Sequence, residues 1–220
     1  MRIVLISLIL LFIQLTSFVP SSYSEENTES VSDNVKTRKE NRMEKKQDFM
    51  ENIKEKREEA REKFKEKREE FKAKMEEIKD ERKKQLAENI DERLATINKK
   101  HTDRMSSVLE KLNEIIEKIK EKTADAKADG KDVISVESAI ADAEAAIATA
   151  EAAVTAQAGK EYVADVTDET KLRNAMGEAV KKLKADLKAT HQLVLAARKA
   201  VRNAATELVK VRVPSLGADE

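Results

Sequence analysis

A chain of 220 residues with 39% charged and only 3% aromatic side chains lacks the bulk for a thick globular core; it suits long helices with narrow apolar stripes. Its 43 basic residues balance 43 acidic ones, so nothing electrostatic argues for nucleic acid or an anionic membrane surface as partner. The absence of cysteine excludes disulfides, thiolate chemistry and lipid attachment at a leader cysteine.

The chain opens like a secretory leader. Arg2 supplies the positive start, Ile3 to Ile13 is apolar apart from Ser7, and Ser22-Tyr23-Ser24 has the small-x-small pattern that predicts cleavage before Glu25. The apolar run is short for a spanning helix, which needs about 20 residues; extended to Val19 it allows an uncleaved anchor. Membrane contact is expected only through this segment, if it is retained. An exported protein follows, in the periplasm, at the cell surface or outside the cell. Residues 25–43 are polar without apolar periodicity and read as a disordered linker.

From residue 44 the sequence repeats in elevens: EKKQDFMENIK, EKREEAREKFK, EKREEFKAKME, EIKDERKKQLA, ENIDERLATIN, KKHTDRMSSVL, EKLNEIIEKIK. The tenth place is always apolar (Ile53, Phe64, Met75, Leu86, Ile97, Val108, Ile119) and the fifth always acidic. Eleven residues are close to three helical turns, so these places line one nearly straight helix face. One helix over 44–127 would be about 125 Å long. Pairs such as Glu59 with Lys63 and Glu70 with Lys74 would each add roughly 0.2–0.5 kcal/mol to it. Residues 44–85 thus read as a charged single-helix or coiled-coil rod.

Beyond Gln85 the stripe widens to Leu86, Ile90, Leu94, Ile97, His101, Met105, Val108, Leu112 and Ile116, a width that expects partner helices. "ADGKDV" marks a stop, with Gly130 suited to the left-handed residue after the last turn and Asp132 or Ser135 to capping the next helix. That helix is written in sevens, with Val136, Ile140, Ala143, Ile147, Ala150 and Val154 as its seam, and Gly159 ends it. "KEYVADV" reads as extended, and Thr167 or Asp168 as the cap of a last helix. The last helix carries Val180, Leu187, Val194, Val201 and Leu208 at sevens and closes at Pro214.

The lengths are consistent: 86–127 rises about 63 Å, 168–212 about 67 Å and 133–158 only about 39 Å. An extended 159–167 spans up to about 30 Å and makes up the difference. The expected fold is all-α: a long charged helix with an 11-residue repeat continuing into an antiparallel three-helix bundle over 86–213, with a tail at 214–220. An eleven-residue first helix and seven-residue partners favour opposite supercoil hands, which an almost untwisted bundle reconciles.

Nothing in the sequence assembles a catalytic, cofactor-binding or metal-binding constellation, so no enzyme and no cofactor are expected. His101 and His191 border apolar stripes without further ligands at matched spacing. The carboxylates sit beside Lys and Arg, and no Gly-rich loop or nucleophile elbow occurs. After the leader, the only phenylalanines are Phe49, Phe64 and Phe71, all in the rod. With Ile53 and Met75 they form a candidate partner-binding stripe, for a homodimer or an apolar protein segment, since covering a Phe gains roughly 1.5–3 kcal/mol. A self-supporting charged helix that tolerates scattered hydrophobes is the alternative.

The run "KQLAENIDERLATINKKHTDRMSSVLEKLNEIIEKI", followed by "ADGKDV", an Ala-rich heptad helix and "AGKEYV", resembles a group of uncharacterised exported helical proteins of uncultured small-genome bacteria. The resemblance covers roughly residues 77–210, implies a bacterial origin and an extracytoplasmic address, and carries no activity. Two functions are compatible with these features. One is an exported scaffold, acting as a spacer or a self-associating rod. The other is a chaperone-like or adaptor module that holds apolar segments on the Phe-bearing helix.

Overall fold

The structure is a computed structural model in which residues 27–212 are described. The leader and the tail after Arg212 lie outside these residues. The described chain is helical without strands and comprises α1 (Asn27–Lys63), α2 (Lys65–Glu77), α3 (Glu81–Ala128), α4 (Ile134–Ala158) and α5 (Leu172–Arg212). It divides into two compact units at Arg42/Met43. In the first unit, residues 27–42 are the leading part of α1, where a disordered linker was expected. Once a helix is nucleated, each further residue adds a hydrogen bond at little cost, so polar residues propagate it without an apolar face.

In the second unit α3, α4 and α5 each pack against the other two. α4 runs opposite to α3: Lys120 pairs with Glu144, Asn113 bonds Glu151 and Lys127 pairs with Glu137. α5 runs alongside α3 in the same direction, with Lys83 bonded to Glu169 at the shared N-terminal end. The turn between α3 and α4 is set by Gly130 at φ +75°. There the Lys131 N–H donates to the Ala126 carbonyl and the Gly130 N–H to that of Lys127, a Schellman pattern closed by the residue that bears left-handed φ best. Asp132 accepts from the Ile134 N–H.

α4 has 25 residues against 48 in α3 and 41 in α5, and the chain returns to the start of α5 through residues 160–171. In that segment Tyr162, Ala164 and Val166 are buried while the residues between them are not, the period-two pattern of an extended chain with one face on a core. Asp168 then accepts from the N–H groups of Thr170 and Lys171 ahead of α5.

The free-standing rod is not what forms. The helix expected to run unbroken over 44–127 bends at Phe64, ends at Glu77 and restarts at Glu81. Across the bend, i→i−4 bonds persist from Phe64 N–H to Ala60 and from Arg68 N–H to Phe64. At the true break Ile78 is extended and buried, and the Asp80 carboxylate accepts from the N–H groups of Arg82 and Lys83 to begin α3. The chain therefore doubles back. Lys46 reaches Glu110, Arg57 reaches Asp103 and Arg68 reaches Asp91, the order of an antiparallel pair. The expected domain boundary near residue 85 falls inside one compact unit that begins at Met43.

The cause is a comparison of magnitudes. A free rod would rely on pairs worth a few tenths of a kcal/mol, whereas burying Ile53, Phe71 and Met75 gains roughly 1.5–3 kcal/mol each. The short-range pairs formed on this arm are Lys56–Glu59 and Lys74–Glu77, not the anticipated Glu59–Lys63 and Glu70–Lys74. The arm also crosses the end of α4 closely. A Cβ on Gly159 would lie 3.2 Å from the Lys56 carbonyl oxygen, so glycine there serves the approach of α1.

Replacing Ile53, which is 1% exposed, tests this packing directly. Ile53→Ala is expected to lower unfolding free energy by about 2–5 kcal/mol in urea titration. A loss under about 0.5 kcal/mol, as for an exposed site on a solvated helix, would mean that the arm is free.

Candidate functional site

The five residues of the expected partner stripe lie mostly inward. Ile53 and Met75 are each 1% exposed, and Phe71 is buried with them in the common core. Phe49 is half-buried against the same core. Phe64, at the bend, is half-buried with the Lys67 ammonium 5.8 Å from its ring centroid. The stripe's apolar surface is thus largely covered by the chain's own helices, because the turn at 78–80 brings α3 and α4 against it.

A polar layer at the end of α4 is the feature that apolar periodicity did not disclose. Asn98 is buried on α3, and its side-chain amide donates to the carbonyls of Gln157 and Lys160, at 3.1 and 3.0 Å. The Gln157 carbonyl, in the last turn of α4, also accepts from the Lys160 N–H, and the Lys160 carbonyl lies just past the helix end. Gln157 returns the contact, its amide donating to Asn98 Oδ1 at 2.9 Å and to the Tyr162 hydroxyl at 2.7 Å. The Tyr162 hydroxyl donates to Asp186 on α5 at 2.8 Å, and Lys160 completes the group 3.1 Å from the same carboxylate. Gln157 Oε1 is buried with no hydrogen-bond partner among the described residues.

Two arginines of the arm close this layer from outside. Arg57 donates to the Thr102 hydroxyl at 2.7 Å and to Asp103 at 2.6 Å. Arg68 bridges Asp91 on α3 and Glu161 in the extended segment. Burial opposes the charge on Arg68, but Glu161 and Asp91 outweigh it and hold its proton more firmly than usual. Burial pushes the Asp91 carboxyl up, and the neighbouring Glu161 adds to that, more than Arg68 pulls it down. Asp186 goes the other way: burial raises it, yet hydrogen bonds from Tyr162 and Lys160 bring it below the ordinary carboxylate value. Burial also pushes the Tyr162 phenol up. All of these polar contacts are internal and join helix to helix.

The buried spacing changes at this same level. On α3 the buried residues, Ser106 aside, run Ala87, Asp91, Leu94, Asn98, Thr102, Met105, Leu109 and onward in a 4-3 heptad rhythm, broken once by consecutive fours at 94–98–102. On α5 the same break falls at 179–183–187. α4 keeps sevens throughout, from Val136 to Gln157. An extra four residues in a heptad locally unwinds the supercoil, so the two long parallel helices straighten together where α4 stops.

On the outer side of that level, α3 and α5 leave an open cavity of about 430 Å³. Ile90, Leu94 and Ile97 line it from α3, and Val180, Leu183 and Leu187 from α5. Arg93, His101 and Lys184 complete the lining, with no acidic side chain. The two histidines are both exposed, His101 at this cavity and His191 on the next stretch of α5. Among the described residues no group of three His, Cys, Asp or Glu could hold a metal ion, and no helix is long and apolar enough to cross a membrane.

No family model, no curated protein and no solved structure matches this chain.

Two measurements test the roles assigned here. Asn98→Leu keeps the volume but removes the Asn98 bonds to the Lys160 carbonyl and from the Gln157 amide, and is expected to cost about 1–3 kcal/mol in urea titration; a neutral result would deny the layer its anchoring role. Asp168 is held at about 2, below its ordinary 3.8, first by the Thr170 hydroxyl and further by the Thr170 and Lys171 N–H groups. Its contribution is therefore full above the ordinary value and lost as pH falls toward the folded one. The stability deficit of Asp168→Ala should be complete near neutral pH and fade toward pH 2. A deficit independent of pH would remove Asp168 as a charged cap.

Proposed function

We propose that this chain is an exported, non-catalytic scaffolding protein of a bacterial envelope or surface, built as an antiparallel three-helix bundle carrying a charged arm with an eleven-residue repeat. The observation that carries the reading is where the polar groups are spent. The buried Asn98, Gln157 and Asp91, together with Arg57, Arg68 and Tyr162, are engaged in joining α1, α2, α3, α4, α5 and the extended segment. Such a network suits a part that transmits position and keeps its shape.

Export rests on residues 1–24, with Arg2, the apolar run from Ile3 and Ser22-Tyr23-Ser24, and agrees with a chain free of cysteine. The resemblance to exported helical proteins of small-genome bacteria supports the same address. Protein partners or a second copy are the expected company, and no cofactor enters the reading.

The adaptor reading keeps a specific observation in its favour, although on a different surface from the one first considered. With Ile53, Phe71 and Met75 covered, an apolar surface among the described residues that lies open to a partner is the cavity between α3 and α5.

Fusing residues 1–30 to an alkaline phosphatase without its own leader tests export, because that enzyme matures only outside the cytoplasm. Phosphatase activity in intact bacteria, abolished when Leu8 and Leu11 are changed to Arg, is the expected result. An inactive fusion retained in the cytoplasm would overturn the exported address.

A further inference from the structure

The eleven-residue repeat is only partly used up by folding. Its apolar places on the arm, Ile53 and Met75, are buried, but on α3 the same place is 62% exposed at Leu86 and 36% exposed at Ile97. Ile115, one heptad beyond Val108, is 43% exposed. On a helix of 3.6 residues per turn, Leu86, Ile97 and Ile115 fall within a narrow arc together with Arg93, Arg104 and Lys111. The outer face of α3 therefore alternates exposed apolar and basic side chains over about 44 Å. α5 adds Lys184 across the cavity, where Arg93 and Lys184 flank an apolar floor.

The chain is neutral overall, but Arg93, Arg104, Lys111 and Lys184 are exposed with no carboxylate partner among the described residues, and no acidic side chain lines the cavity between α3 and α5. A groove with an apolar floor and unpaired cations on both banks is complementary to a ligand with an apolar stripe and acidic flanks.

We propose that the groove between α3 and α5 docks an acidic amphipathic helix of a partner protein. The helix's apolar stripe seats over Ile90, Ile97 and Leu183, and its Asp and Glu side chains meet Arg93 and Lys184. A cylinder lying between two parallel helices uses the ridges and grooves by which helices pack, and the apolar spacing along α3 continues well beyond one cavity. A second copy in the same groove would set Arg93 and Arg104 against like charges across the two-fold axis. This inference rests on the scaffold or adaptor reading only in assigning the chain a protein partner, and it is independent of export.

The test is fluorescence anisotropy of the full chain with two labelled four-turn peptides, stapled as helices. Both carry Leu at i, i+3/i+4 and i+7, one flanked by Glu and the other by Lys. The Glu peptide is expected to bind at least tenfold more tightly, with affinity falling as salt rises. The double variant Arg93→Glu/Lys184→Glu should reverse the preference. Ile97→Asp should weaken the Glu peptide at least tenfold while circular dichroism and the urea midpoint stay near those of the parent, since these side chains are exposed. Equal binding of the two peptides, or binding unaffected by the variants, would overturn the proposal. So would light scattering that shows a dimer abolished by Ile97→Asp, which would assign the groove to a second copy. Binding to phosphatidylglycerol vesicles lost in the double variant, with no peptide binding, would assign it to a lipid surface and equally overturn it. Because the assay is done in solution, its failure leaves the export result standing, and the reverse holds.

Discussion

The shortness of α4 is the constraint on which the packing of the second unit depends. Two helices of 48 and 41 residues run side by side, and the helix between them stops after 25. Its last turn would leave carbonyls facing a core, at a cost comparable to lost hydrogen bonds. Asn98 reaches across from α3 to the Gln157 carbonyl in the last turn and the Lys160 carbonyl just past it, and Gln157, Tyr162 and Asp186 extend the contact to α5. Beyond this level the place of α4 is taken by extended chain, with Tyr162, Ala164 and Val166 turned inward.

The same level explains how a sequence written in elevens at one end and sevens at the other makes one packed unit. α3 and α5 keep heptads and each take a single extra four residues, at 94–102 and 179–187, where their third neighbour changes from helix to extended chain. The cavity between α3 and α5 lies at the same level, and the arm packs there through Arg57 and Arg68. Anchoring layer, stutter and groove thus fall together at the level of one helix end.

The charges divide in a corresponding way. Arg57, Arg68, Lys160, Asp91 and Asp186 are engaged between elements and partly desolvated, where pairing is needed to avoid the cost of a buried charge. Along the outer face of α3 the basic side chains alternate with exposed Leu86, Ile97 and Ile115 and are not engaged in this way. A neutral net charge conceals this separation, because composition sums over faces that the fold keeps apart.

Much of the helical layout was legible in the sequence. Gly130 and Asp132 marked the α3–α4 turn, the alanine-rich sevens marked the buried face of α4, and "KEYVADV" read as extended because of its β-branched residues. The arm and the polar layer were not legible. The eleven-residue frame passes through Ile78-Lys79-Asp80 unbroken, and one aspartate among many carries little weight as a cap, so the doubling-back left no local mark. Asn98, Thr102 and Gln157 are polar, and a search for apolar periodicity steps over them; only their spacing of four and their fit to sevens place them on buried faces. By itself, then, the sequence determined helical propensity, the extents of α4 and α5 and the turn before α4, since these depend on neighbours a few residues away. Whether Ile53 and Met75 met water or α3, and which of the many charges found partners, depended on contacts between distant segments. Only the tertiary structure decided those, because burying a few large apolar groups outweighs many weak pairs along a single helix.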